Sequence, residues 1–376
     1  MEDKKVIFAS HTAYYEDNTP RNGTGSQIAG DLHNRRIAYM FIKHSLYEGH
    51  TTRIESFNGK QMRVQYVGNP HLPIVLRAFQ DLLVTFRILF PLRGNISMYI
   101  GIDPLNAVIG ILLKPIISLP RVVFYTADYA RARFSNPALN WLYHSLDYFA
   151  RTYSSVTWCV STRMMTLRKK QNIPGSKLVF VPNAPLYTAA MHKTTPAKYT
   201  DIVIVSGLRE DYIDFAMAFE AIKYVSKKIP HVRLVIVGSG DDEQILRKKV
   251  RDMNMQTHVL FTGKKSHADV YAILKKSTIG LALYRTTSPW TYYGDSMKTR
   301  EYLSVGLPVI ITDTCSTADD IKKEHVGVVI PESEKHLGRI LASLLKNNKL
   351  LNTYRKNALL YSKKTNIRNI IEREIV

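Results

Sequence analysis

Asp201-Ile202-Val203-Ile204-Val205 and, one helical stretch later, Val232-Arg233-Leu234-Val235-Ile236-Val237 are the segments that decide the fold. Ile202–Val205 and Leu234–Val237 are unbroken apolar runs, as expected of strands buried on both faces. Similar β-rich runs recur along the chain with helical patterns between them. After residue 205 they fall at 259–261, 279–283, 309–312 and 327–330. Before it they fall at 6–9, 52–56, 63–67, 97–102, 122–125, 156–160 and 178–181. Strand alternating with helix predicts parallel sheets covered on both faces.

The alternation pauses between residues 182 and 200. There Pro182-Asn183-Ala184-Pro185 opens a polar stretch that reads as a linker. This predicts two doubly wound, Rossmann-like α/β domains, at 1–185 and 186–346. A basic helical segment, 347–376, is expected to pack back on the first domain. In open parallel sheets ligands bind beyond the carboxyl ends of the strands. Two such domains facing a central cleft therefore place functional residues just after strands.

A chain of 376 residues, 45% hydrophobic and 22% charged, has the composition of a two-domain globular protein and excludes disordered and collagen-like classes. Two cysteines, Cys159 and Cys315, make neither a disulfide framework nor a zinc cluster and suit a reducing, cytoplasmic setting. Lys and Arg outnumber Asp and Glu by 52 to 31, a net charge of +21. Residues 1–187 carry 22 basic and 11 acidic groups and the remainder 30 and 20, so the charge is no basic tail. Such a field favours phosphorylated ligands, nucleic acid or an anionic membrane face. No helix-turn-helix, RNP or zinc pattern supports nucleic acid, which is not expected as a partner. The sequence shows no leader pattern at its start. Its longest apolar stretch, 107–113, is far short of the roughly 20 residues a membrane span needs.

The richest chemistry lies between 279 and 312. A strand ends in Tyr284-Arg285, and then comes Gly294-Asp295-Ser296-Met297-Lys298-Thr299-Arg300-Glu301, followed by Gly306-Leu307-Pro308. Ser296 is placed to cap a helix beginning at Met297, whose free backbone N–H groups suit a phosphate. Lys298 stands in the first turn, where a cation opposes the helix dipole unless an anion is bound. Glu301, one turn on, is positioned to accept hydroxyl hydrogen bonds from a ribose.

In this order and spacing the segment resembles the donor site of GT-B glycosyltransferases, two-domain enzymes that bind a nucleotide sugar mainly through the C-terminal domain. The likeness covers roughly residues 97–312 and includes Gly238-Ser239-Gly240, Gly263-Lys264 and 267–273. It extends to the glycosyltransferase family 4-like superfamily. The retaining pattern of that superfamily has a Glu where Tyr293 stands here, and its paired Arg and Lys after the first C-domain strand reduce to Arg209. Locally the segment is more similar to the membrane-associated glucuronosyltransferase of xanthan assembly, an inverting enzyme with a lipid-linked acceptor. That donor pattern falls on Tyr284, Ser296, Met297, Lys298 and Glu301. Lys264 stands where that enzyme has a Glu.

Val122-Val123-Phe124-Tyr125-Thr126-Ala127-Asp128 delivers Asp128 at the end of a strand. An Asp there caps a turn as readily as it does chemistry. The resemblance assigns Asp128 as the base that takes the acceptor hydroxyl's proton. His11, after the first strand, and Asp103, opening a helix, are expected on the acceptor side, with His11 as a base or donor contact and Asp103 as a cap lining the cleft. Gly238-Ser239-Gly240 has Glu243 where a dinucleotide fingerprint needs Gly, so no NAD is expected. Leu76 to Arg93 reads as a helix carrying Phe79, Leu82, Leu83, Phe86 and Leu89 among arginines, a surface suited to anionic lipid.

Together these features predict an enzyme moving a sugar, hexosyl or uronosyl, from a UDP-sugar to a glycan or lipid-linked acceptor. It inverts configuration, needs no cofactor or metal, and sits in the cytoplasm or on the cytoplasmic membrane face. The alternatives are a retaining family 4-like hexosyltransferase, a non-catalytic GT-B scaffold and a basic nucleic-acid-binding protein.

Overall fold

A computed structural model describes residues 4–12, 23–45, 49–185, 200–287, 291–332 and 335–375. Much of the N-terminal loop, including Tyr14, Tyr15, Arg21 and Asn22, and most of the linker lie outside the described residues. The chain divides into two compact units, Met1–Pro182 with Ile367–Val376, and Asn183–Asn366.

The first unit is built on strands β1 (Lys5–Thr12), β2 (Tyr39–Ser45), β3 (Thr52–Phe57), β4 (Met62–Val67), β5 (Ile96–Gly101), β6 (Val122–Thr126), β7 (Val156–Cys159) and β8 (Leu178–Phe180). They form one sheet in the order β4-β3-β2-β1-β5-β6-β7-β8. Around it lie helices α1 (Thr24–Asn34), α2 (Ile74–Leu89), α3 (Pro104–Ile117), α4 (Pro137–Tyr153) and α5 (Thr162–Lys170). Ile7, Phe8 and Ala9 of β1 are buried beside Tyr99 and Ile100 of β5, so burial on both faces explains the continuous apolar runs. Gly101 ends β5 where α3 comes closest. A Cβ there would lie 2.4 Å from the backbone nitrogen of Ala107, so only glycine admits this approach.

Two features of this sheet differ from the sequence reading. Strand β2 was not anticipated, because Lys43 and His44 interrupt its apolar run. Both are buried, and each has partners: Lys43 donates to Glu55 at 2.8 Å, and His44 meets Thr52 and Thr85. The sheet is also not wholly parallel, since β3 pairs antiparallel with both β2 and β4. Every residue of β4 is exposed, so this edge has neither face covered.

The second unit has six strands, β9 (Thr200–Val205), β10 (Val232–Val237), β11 (Val259–Phe261), β12 (Ile279–Ala282), β13 (Val309–Thr312) and β14 (Gly327–Ile330). All pair in parallel in the order β11-β10-β9-β12-β13-β14. Its helices are α6 (Phe215–Ser226), α7 (Glu243–Asp252), α8 (His267–Lys276), α9 (Met297–Ser304), α10 (Thr317–Lys323), α11 (Leu337–Lys346) and α12 (Asn348–Lys364). Gly238, at φ +141, turns the chain after β10, where a Cβ would strike the Ser206 carbonyl oxygen at 1.8 Å.

The segment 347–376 is not one element. Helix α12 packs on α9 and α11 within the second unit. Only the last helix, α13 (Ile367–Glu374), belongs to the first unit, lying on α1. There Arg121 donates to the carbonyl of Glu374 at 3.1 Å and to its carboxylate at 3.3 Å. Thr365 and Asn366 separate the two helices, and α13 buries Ile367, Ile370 and Ile371.

Candidate active site

Each sheet reverses its winding at one place, and a crevice is expected beyond the strand ends there. In the first unit that switch lies between β1 and β5. His11 is the penultimate residue of β1, and Asp103 caps α3 just after β5 by accepting the Asn106 N–H at 2.9 Å. The backbone N–H of His11 donates to Asp103 Oδ2 at 2.9 Å, and His11 Nδ1 lies 3.1 Å from the same oxygen. The other ring nitrogen lies 3.1 Å from Asp81 Oδ2 on α2. Asp81 in turn reaches His44 Nδ1 at 3.0 Å.

Burial alone would lower the pKa of His11. The charges and hydrogen bonds of Asp103 and Asp81 outweigh it and raise the value to about 10. Burial would likewise raise Asp81, but its hydrogen bonds to His11 and His44 bring it down to about 2. Asp103 is held well below the usual carboxylate range, the charge of His11 overcoming burial. The two carboxylates therefore favour the imidazolium near neutral pH, with the Asn106 amide also 3.1 Å from Nδ1. A His11 with so high a pKa is a poor base there, which runs against that part of the sequence expectation.

These groups open onto a cavity of about 680 Å³, lined entirely by the first unit. Asp128 lies in its wall with half its side chain exposed, paired with Arg133 Nη1 at 3.0 Å. Asn140 on α4 accepts the backbone N–H groups of Arg133 and Phe134, each at 2.9 Å, which fixes the loop after Asp128. His11, Asp103 and Asp128 thus line one cavity. Arg77, which the sequence reading placed on a lipid-facing helix surface, joins them, and so do Asp81 and Arg133, which it passed over. Asp81 and Arg77 sit in a helix whose pattern reads as amphipathic packing, and only the fold shows which turn faces the cavity.

In the second unit the winding reverses between β9 and β12. Arg209 follows β9 and Tyr284 follows β12. An isolated bridge between Ile213 and Tyr284 joins the two loops, helped by Asp214 N–H to the Leu283 carbonyl at 2.8 Å. The Tyr284 hydroxyl lies 2.5 Å from Ser296 Oγ. Ser296 caps α9 by accepting the Thr299 N–H at 3.1 Å and also takes the Thr299 hydroxyl at 2.8 Å. Burial pushes the Tyr284 phenol well above its ordinary pKa, so it stays neutral.

Lys298, in the first turn of α9, is partly exposed and donates to Glu301 Oε2 at 3.2 Å. Glu301 is almost wholly buried, and its other oxygen lies 3.3 Å from His267 Nε2 on α8. The carboxylate therefore already has two cationic or polar partners. Met297 is the first residue of α9. Arg209 is exposed and clasps Asp211 through Nε at 3.1 Å and Nη2 at 2.5 Å. Lys264 follows the edge strand β11, beside Gly263, whose carbonyl accepts the Gly238 N–H at 3.1 Å. Tyr293 is buried.

What holds this end of α9 was not anticipated. Asp295 is fully buried, with Oδ1 2.8 Å from Arg300 Nη2 and accepting the Thr317 hydroxyl at 2.8 Å. Arg300 also reaches Asp320 at 2.5 Å and the Tyr361 hydroxyl at 2.7 Å. Asn183 donates its backbone N–H to the Asp295 carboxylate at 2.8 Å. The loop before α9 is thus pinned to α10 and α12. Among the described residues no group of three or more His, Cys, Asp or Glu is placed to hold a metal ion. Nor is any described helix long and apolar enough to cross a membrane.

Two Rossmann-like units, each presenting polar residues at the switch point of its sheet, define the GT-B class of fold, and comparison with solved structures agrees. Anabaena HepE in complex with UDP superposes with a TM-score of 0.69 at 12% identity over 98% of both chains. Sucrose-phosphate synthase from Thermosynechococcus elongatus gives 0.72 at 13% identity, over 98% of this chain and 97% of that one. More particularly, residues 189–360 match the family model described as glycosyl transferases group 1. A poly(glycerol-phosphate) alpha-glucosyltransferase of Bacillus subtilis (strain 168) is 27% identical over 190 residues, which is 50% of this chain. The match spans 27% of the length of that relative.

Proposed function

We propose that the protein is a glycosyltransferase that moves a sugar from a UDP-sugar to a hydroxyl of a glycan or lipid-linked acceptor, with no metal requirement. The observation that carries this reading is the capped N-terminus of α9, with Lys298 in its first turn, at the switch point of the second sheet. The N-terminus of a helix and an adjacent ammonium stabilise the diphosphate that leaves when the sugar is transferred. Tyr284 touches that position through Ser296, and Arg209 follows the neighbouring strand β9. Glu301 exchanges Lys298 and His267 for ribose hydroxyls when the nucleotide arrives. The UDP bound in HepE and the family match over 189–360 support the donor side.

On the acceptor side, Asp128 takes the proton of the attacking hydroxyl, and the reaction inverts the anomeric carbon. His11, held as a cation, and Asp103 position the acceptor. Exposed apolar side chains of α2, Phe79 and Leu83, with Arg87 on the same helix, support work at an anionic cytoplasmic membrane face. One observation favours a second reading. The Bacillus relative's name specifies an alpha linkage, and an alpha product from an alpha-linked donor means retention, with Asp128 no longer the base.

The test is a melting screen with UDP, GDP, ADP, CMP and their sugars. A ligand at a hundredfold excess over its Kd adds about 2.7 kcal/mol of stability. UDP should raise the melting temperature of the wild type and, at the same concentration, stabilise Lys298→Ala by only about half as much. No shift with any nucleotide would turn the reading toward a non-catalytic scaffold.

A further inference from the structure

The cavity of the first unit joins two kinds of wall. Its lining runs across four adjacent strand ends, β2, β1, β5 and β6, a width of about 14 Å at the usual strand spacing. On the β2–β1 side stand Ser10, His11, Thr12, Arg77 and Asp81. Beyond β6 and Asp128 the lining comes from α4 and the loop before it. There it is Phe134, Leu139, Leu142 and Leu146, with Arg133 and Tyr143 as the polar members beside Asp128. The three leucines recur at i, i+3 and i+7, so they form one stripe of the helix.

That stripe offers a ligand no donor or acceptor. Sugar hydroxyls laid on it would lose water without gaining partners. Phe134, Leu139 and Leu142 are nevertheless 40%, 38% and 46% exposed, large apolar side chains left in contact with solvent. The surface outside continues in kind. Trp141, on the neighbouring face of α4, is 72% exposed. Of the 21 exposed large apolar side chains among the described residues, 16 belong to the first unit, although the two units are of nearly equal length. An apolar bias concentrated in the unit that holds the cavity points to a ligand with a hydrocarbon segment.

We infer that the acceptor is an amphiphile, a hydroxyl- or phosphate-bearing head joined to a prenyl or acyl chain, with the chain lying along Leu139, Leu142 and Leu146. The head occupies the polar wall, where Arg77 adds a cation beside the paired His11, and the reacting hydroxyl lies at Asp128. This rests on reading the first-unit cavity as the acceptor site, and it selects the lipid-linked class over a free glycan.

Farnesyl phosphate, below its micelle threshold, and glycerol 3-phosphate share a phosphate head and differ in the chain. Calorimetry with the full chain should find farnesyl phosphate binding about tenfold or more tightly than glycerol 3-phosphate. Leu139→Gln/Leu142→Gln should lose that advantage, and Leu139→Met/Leu142→Met should keep it. UDP binding to the same variants reports on the second unit, so it shows that they are folded and tests the donor reading separately. Equal affinity for the two probes in the wild type would overturn the inference. So would an unchanged farnesyl phosphate affinity in a Gln variant that still binds UDP.

Discussion

His11 Nδ1 lies 3.1 Å from Asp103 Oδ2, across the point where the first sheet reverses its winding. With Asp81 on the other ring nitrogen, this contact raises the pKa of His11 from 6.5 to about 10 and favours its charged form. The sheet register puts His11 opposite His44, and Asp81 serves both rings.

The pH dependence of stability follows from that cluster. The pKa of His11 is raised from 6.5 to about 10 on folding, so its contribution is complete below about pH 6.5 and is lost as the pH rises toward 10. Asp81, lowered to about 2, contributes fully above about pH 4 and loses its contribution as the pH falls through 2. His11→Gln leaves two carboxylates without their cation and should cost about 3–5 kcal/mol near pH 6. Denaturant melts of both proteins should show that gap narrowing toward pH 10. A gap that stays constant from pH 6 to 10 would exclude the imidazolium.

Breaking the network behind α9 should unfold the second unit more easily. Arg300 is buried between Asp295, Asp320 and Tyr361, so Arg300→Met strands two carboxylates. A loss of about 3–5 kcal/mol in urea denaturation is expected. Asp320→Asn, which keeps an acceptor for Arg300, should cost less.

The cap of α9 carries a smaller and separable effect. Ser296→Ala removes the bond to the Thr299 N–H and should lower stability by about 1 kcal/mol. It should also weaken UDP binding, because the helix start loses its order. Lys298→Ala should weaken UDP by about tenfold, the equivalent of about 1.4 kcal/mol. Titration calorimetry measures both. Adding Glu301→Gln to Lys298→Ala distinguishes lost attraction to phosphate from repulsion by an unmasked Glu301.

For catalysis, Asp128→Asn should lower transfer by about 10²–10⁴-fold while UDP affinity stays unchanged. Proton NMR of the first-formed product gives the anomer. A product of inverted configuration, with loss of turnover in the variant, fits Asp128 as base. A retained configuration or undiminished turnover removes that role.

Some of this molecule can be read from local pattern alone. The runs at 202–205 and 234–237 are so continuously apolar that no other strand environment suits them, and both lie fully inside a parallel sheet. Ser296, Lys298 and Glu301 are legible because a cap, a first turn and a position one turn on are fixed by helix geometry within eight residues. Strand β2 was hidden because Lys43 and His44 look like surface residues until Glu55, Thr52 and Thr85 are brought to them from elsewhere in the chain. The charge state of His11 was hidden for the same reason. Its partners stand 70 and 92 residues away, and a pKa depends on distance in space. The apolar wall beside Asp128 belongs to this second kind as well. Periodicity along 137–153 marks an amphipathic helix, but only packing against α3 and the sheet decides that one leucine stripe is left facing a cavity. Sequence alone settled the local chemistry of strands, turns and caps, where neighbours along the chain are also neighbours in space. Tertiary structure decided which charges are paired and which apolar faces stay open, because those depend on contacts made across the sheet.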